Sequence, residues 1–248
     1  MMHPLNTPVR RCGAIAAAAL IASVVIAGPV SAQSASIGAD IVSRYVWRGL
    51  DFGESMSVQP GLTIALGGLE FGAWGSYSIS ASGAGANEND LWATYTHETA
   101  SGASFAVGFT DYYFPGPRAD KFRDKDAHTQ EFSVAVSGTE AFPVSLYAGM
   151  LLDENEDGEA ERPIYFEASV PFMAGDVEIG LHAGAVSSKS GFYATEGFAL
   201  VNLGITGSAE LPITDSFAPP VSVSYIVNPS DSESGNRAFL VFALSLSP

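Results

Sequence analysis

The sequence has one cysteine, Cys12, and it falls within the first 32 residues. Past that point, disulfides and thiolate metal sites are both excluded. Positive charge is scarce too: 11 Lys and Arg stand against 27 Asp and Glu. So acidic a chain repels phosphate backbones, which argues against nucleic acid as a partner. After residue 32 no stretch approaches the roughly 18 continuous apolar residues of a membrane-crossing helix. If the chain crosses a membrane, a closed barrel is the remaining way to satisfy every backbone donor and acceptor. The motifs of catalysis are missing as well. His97, His128 and His182 stand in no nucleophile motif and in no H-E-x-x-H, and no glycine loop precedes a helix to cradle phosphate. The residues point to a protein that is not an enzyme and needs no cofactor.

What is present begins with an export signal. Arg10 and Arg11 form a positive n-region, Gly13 to Ala27 an apolar core, and Val30-Ser31-Ala32 a small-residue cleavage site, so residues 1–32 read as a signal peptide. Residues 33–248 then form one domain. Without the two signal arginines the balance becomes 9 basic against 27 acidic residues, a net charge of −18.

The stretch from Ser36 to Gly53 sets the pattern. Ile37, Ala39, Ile41, Tyr45 and Trp47 alternate with Gly38, Asp40, Arg44 and Arg48, a period of two that predicts a strand with one oily and one wet face. Here R-Y-V-W-R-G-L-D-F-G, then Gln59-Pro60-Gly61-Leu62 and Gly72-Ala73-Trp74-Gly75-Ser76, resembles the N-terminal signature of the proteobacterial Gcw_chp family. That family is also called TorF and is labelled as porins. Ile164 to Val170 is similar to a later family strand. The resemblance implies an outer-membrane barrel and supplies no functional residues to carry over.

The same alternation recurs along the chain and predicts an all-β fold, a transmembrane antiparallel up-and-down barrel of about 12 strands. Gly67-Gly68 marks a two-residue hairpin, and Pro60 predicts a bulge or weakened pairing. Oily rows include Phe105 to Tyr113, Phe132 to Val136, Val201 to Ile205, and Leu240 to Leu246. Connections alternate between short turns and longer polar loops, as expected of periplasmic turns and outer loops. Gly207 to Pro220 is the exception, read as a long connection. The last strand, with Phe239 and Phe242, would be the segment read by the barrel-assembly machinery. It ends in Leu246-Ser247-Pro248 and lacks a terminal phenylalanine.

With odd strands running outward, Tyr45, Trp47, Tyr77, Tyr113 and Tyr225 fall at the outer ends of oily rows, as an aromatic girdle against outer-membrane lipid would. A soluble barrel with the oily face turned inward fits the same alternation and is the competing fold. The wet face predicts a lumen lined by Asp40, Arg44, Arg48, Glu70, Asp90, Glu131, Glu167, Glu178 and His182. Its carboxylates would favour cations among small hydrophilic solutes diffusing through a porin. The alternative is a filled interior, with the arginines paired to Glu131 or Glu167 and the barrel acting structurally or adhesively through its outer loops. Glycines at inward positions (Gly72, Gly184 and Gly204 among them) would leave room for water. Finally, Asp153, Asn155 and Asp157, followed by Gly158, match the first half of a calcium loop, although Ile164 stands where its bidentate glutamate belongs.

Overall fold

The computed structural model describes residues 34–116, 121–154, 160–214, 216–231 and 237–247. The predicted signal peptide, residues 1–32, therefore lies outside the described residues. Twelve strands close into one antiparallel barrel. They are β1 (Ser34–Val42), β2 (Ser57–Leu66), β3 (Leu69–Ser78), β4 (Glu88–Glu98), β5 (Ser104–Tyr113) and β6 (His128–Ser137). The second half comprises β7 (Ser145–Leu151), β8 (Ile164–Ala174), β9 (Val177–Val186), β10 (Ala199–Glu210), β11 (Pro220–Val227) and β12 (Ala238–Leu246). Each strand pairs with its neighbours in sequence, and β1 pairs with β12 from Ala39↔Leu246 to Val42↔Ala243 to complete the ring. Closure leaves the barrel itself without a free edge.

The oily rows face out. Leu62, Ile64, Phe71, Leu91, Phe105, Val107, Phe132, Val134, Ile205, Val223, Leu240 and Phe242 are all exposed on the barrel wall. Their alternating neighbours Ser76, Asp90, Glu131, Thr206, Ser222 and Ser224 are buried within. That arrangement inverts a soluble core, so the competing fold with an oily interior is not the one adopted.

Register explains several local departures from the simple alternation. Pro60 carries no bulge: pairing with β3 lapses between Val58↔Tyr77 and Gly61↔Trp74 and resumes in the same register. Proline has merely removed one donor. The true bulge lies between β9 and β10, where Gly184↔Asn202 is followed by Ala185↔Leu200. Val201 is the extra residue. The bulge turns it out of the predicted outer row and into the interior, where it is fully buried. The supposed long connection after β10 is mostly hairpin, since Leu211 N–H donates to Pro219 O at 3.0 Å and Ile213 N–H to Phe217 O at 2.9 Å. It therefore joins the short turns, which share one end of the barrel (the turn end) with the start of β1 and the end of β12. The long connections gather at the other, the loop end.

The predicted first strand is the largest correction. It stops at Val42, and Ser43 seals the corner by donating its N–H to Phe242 O and accepting Phe242 N–H at its hydroxyl, both at 2.9 Å. Two short strands, Tyr45–Trp47 and Leu50–Gly53, then form a hairpin of their own. Its tip is Arg48-Gly49, both with positive φ (51° and 78°), the conformation of a two-residue type I′ turn. Tyr45, Val46 and Trp47 are all buried. A strand buried on both faces lies inside the barrel, not in its wall.

Candidate functional site

The inner hairpin divides the interior at the loop end into two packed clusters. Tyr45 and Trp47 pack with Tyr112, Leu151, Tyr165, Val186, Tyr193 and Val201, while Val46 packs with Ile226, Phe239 and Val241 on the other side. Tyr193 arrives from the β9–β10 connection, which also folds inward through the short strands Lys189–Ser190 and Thr195–Glu196. Its ring stacks on Trp47 at 6.3 Å and on Tyr165 at 5.9 Å between centroids. Such aromatic pairs add roughly 0.5–1.5 kcal/mol each beyond the area they bury.

At the tip of the hairpin, Arg48 crosses the interior to Glu131 on β6. Nη1 meets Oε2 at 2.6 Å and Nη2 meets Oε1 at 2.9 Å, a bidentate pair. Arg48 also donates to the hydroxyls of Tyr193 (2.8 Å) and Tyr147 (3.0 Å), and lies over the rings of Trp47 (4.2 Å) and Tyr165 (4.3 Å). Glu131 collects two further donors, the hydroxyls of Tyr147 and Tyr112. Arg48 is 3 % exposed and Glu131 1 %. Burial disfavours the guanidinium charge, but Glu131 and the ring hydroxyls outweigh it and hold the Arg48 proton more tightly than usual.

Glycines make this layer possible. A Cβ on Gly49 would stand 2.0 Å from Val201 O, and one on Gly149 would stand 2.5 Å from the Glu131 carboxyl carbon. Three of the inward glycines expected to leave room for water hold rings instead, while Gly180 has open space beside it. Gly72 lies beneath Trp92, Gly184 beneath Tyr165, and Gly204 beneath His182.

Over residues 26–239 the chain matches the family described as "Bacterial protein of unknown function (Gcw_chp)". It belongs to that family. No curated protein matches it.

In this Gcw_chp protein the two predicted arginines have different places. Arg48 is the plug contact just described. Arg44 stays within its own connection, 3.3 Å from Glu54 and 3.7 Å from Asp51, with its guanidinium over Phe239. Neither lines the wall of an open channel. Wall positions do carry the rest of the predicted set. Glu167 accepts from Tyr165 and, at 3.0 Å, from Asn202, whose Oδ1 lies 3.1 Å from His182 Nε2. Glu70 accepts from Trp92 Nε1 at 3.1 Å. Asp40 and Glu178 occupy inward positions nearer the turn end, as do Thr63, Thr94, Ser133 and Ser169. Asp90 is buried beside Glu88, a carboxylate that the alternation of oily and wet positions did not single out.

The predicted girdle divides. Tyr77 and Tyr225 stand exposed on the outer wall. Tyr45 and Trp47 do not, because the chain leaves the wall at Ser43. Tyr113 is buried against His128 (centroids 4.8 Å) and accepts Lys121 N–H at its hydroxyl, 2.8 Å away, so the β5–β6 loop covers it. Of the predicted calcium loop, Asn155 and Asp157 lie outside the described residues, as does the side chain of Asp153. Among the described residues no group of three or more His, Cys, Asp and Glu is placed to share a metal. The plug residues Tyr147, Tyr165 and Tyr193 were missed. Only their polar tips, unusual in so dry a layer, could have signalled them.

Proposed function

We propose that this protein is an outer-membrane β-barrel of the porin class, closed toward the outside by its own inner hairpin. One observation carries the membrane reading: apolar side chains cover the outside of a closed twelve-stranded ring while polar ones are buried within. In water that surface would be a severe aggregation liability, and in hydrocarbon it is the stable arrangement. Residues 1–32 would export the chain, the barrel-assembly machinery would insert it, and Tyr77 and Tyr225 would meet the lipid interface. The turn end would face the periplasm.

Transport on this reading is passive and needs neither cofactor nor catalytic group. The acidic interior favours cations and small hydrophilic solutes over anions. Passage through the loop end requires the hairpin tipped by Arg48 to move aside. The buried Arg48–Glu131 pair supports a second reading, in which the plug is permanent and the barrel acts through its loops.

Planar-bilayer recording of the refolded protein tests both. Wild type is expected to show rare, brief openings, and deletion of residues 45–53 a steady cation-preferring conductance under a salt gradient. Silence from both proteins would sink the pore and leave the plugged barrel.

A further inference from the structure

The interior treats its buried acids in two ways. Glu131 is saturated by Arg48, Tyr147 and Tyr112, and Glu167 is held by Tyr165 and Asn202. Asp90 receives nothing comparable, and Glu88 only the Tyr45 hydroxyl. They sit two residues apart on the inward face of β4, 3 % and 1 % exposed, with their carboxyls against each other. Among the described residues, Glu88 Oε2 and both Asp90 oxygens have no hydrogen-bond partner. Among the described residues no arginine or lysine pairs with them: Arg48 is committed to Glu131 and Arg44 to Asp51 and Glu54. Two ionised carboxylates facing one another in a buried layer are strongly unfavourable unless a proton or a cation lies between them.

We propose that Glu88 and Asp90 bind a divalent hard cation, Ca²⁺ by preference, at the seat of the inner hairpin. The charge decides for a dication, since two buried carboxylates are neutralised by one. Ligand chemistry decides for a hard ion, as the two carboxylates and the hydroxyls beside them offer oxygen. Ser76 pairs with Glu88 across the strands, and Gln59 bridges the hydroxyls of Ser76 and Ser57 at 3.3 and 3.4 Å. The Tyr45 hydroxyl, from the hairpin itself, interacts with Glu88. Irregular mixtures of carboxylate and neutral oxygen suit Ca²⁺ better than the strict octahedron of Mg²⁺. The ion would tie the wall at β4 to the hairpin at Tyr45, so cation binding and plug closure would be one event. This site is distinct from the loop at Asp153 and does not depend on the transport reading.

The test uses full-length protein refolded in detergent, in an Asp153→Ala/Asp157→Ala background that silences the acidic loop. Tb³⁺ serves as the probe, excited through Trp74, whose ring lies 5.5 Å from that of Tyr45. Sensitised emission displaced by Ca²⁺ is expected, with apparent affinity falling at least about tenfold in Glu88→Gln/Asp90→Asn as two ligand charges are lost. Unchanged affinity in that variant overturns the proposal. If the variant does not fold, the background protein still decides. Ca²⁺-displaceable emission, together with an EDTA-sensitive rise in the temperature at which the folded gel band converts, supports the site. Absence of both shows that the acids share only a proton.

Discussion

Arg48 and Glu131 are separated by 83 residues and meet bidentately at 2.6 and 2.9 Å in the middle of a barrel. The hairpin that carries Arg48 has no other fixed charge at its tip, so this pair is what anchors it to the opposite wall. Removing one partner strands the other in a dry site. We expect Arg48→Ala to lower stability by about 3–5 kcal/mol, whereas a double replacement by apolar residues recovers much of the loss. Urea unfolding in lipid vesicles, followed by tryptophan emission, measures both. A loss no larger than that of a surface arginine would show that the pair does not hold the plug.

Gly49 and Gly67 both have positive φ, 78° and 63°, but only Gly49 has backbone where its Cβ would go. Gly67→Ala should therefore cost about 1 kcal/mol, the left-handed strain alone. Gly49→Ala should cost several kcal/mol, because the Val201 carbonyl must shift as well. The same unfolding assay separates them, and equal costs would refute the close approach.

The direction of the oily rows can be read with a lysine. Val107 is exposed on the outer wall of β5, and Thr94 is an inward neighbour on β4. If hydrocarbon surrounds the barrel, Val107→Lys costs about 2–4 kcal/mol near the midplane and slows folding into vesicles. Thr94→Lys should fold nearly as well as wild type, since its ammonium can reach Glu70, the cross-strand neighbour. The reverse order of folding yields would contradict the membrane reading.

Alkali should loosen the plug. Burial pushes the Tyr193 hydroxyl up to about 12, against the pull of Arg48. In the unfolded chain this phenol ionises near its ordinary value of about 10. Stability is therefore undiminished below about pH 10 and falls as pH rises toward 12, by up to roughly 2–3 kcal/mol. Tyr193→Phe gives up its bond to Arg48 at every pH but should flatten that alkaline slope. A slope identical to wild type would assign the effect to other tyrosines.

Much of the fold was legible because alternation is a local property. Phe105, Val107 and Phe109, or Leu240 and Phe242, each announce a strand and its oily face from spacing alone. Which side of the sheet faces water is not local, and closure into a ring settled it. Tyr45-Val46-Trp47 shows where that logic fails. A strand crossing the interior has the same period as one in the wall, so nothing in the triplet distinguishes lipid from a packed core. The bulge at Val201 was hidden for a related reason: one residue of slip needs a partner strand to define it. Glu131 appeared among the inward acids, yet its pairing with Arg48 over Glu167 depended on where a distant hairpin tip comes to rest.

By itself, the order of residues determined the strand count, the two-faced walls and the acidic interior, because each follows from composition and a period of two. Only the assembled barrel decided that the Arg48 hairpin turns inward, that Gly184 and Gly204 seat rings instead of water, and that Glu88 and Asp90 are buried together. Those outcomes depend on distances between segments far apart in the chain, and such distances exist only once the ring has closed.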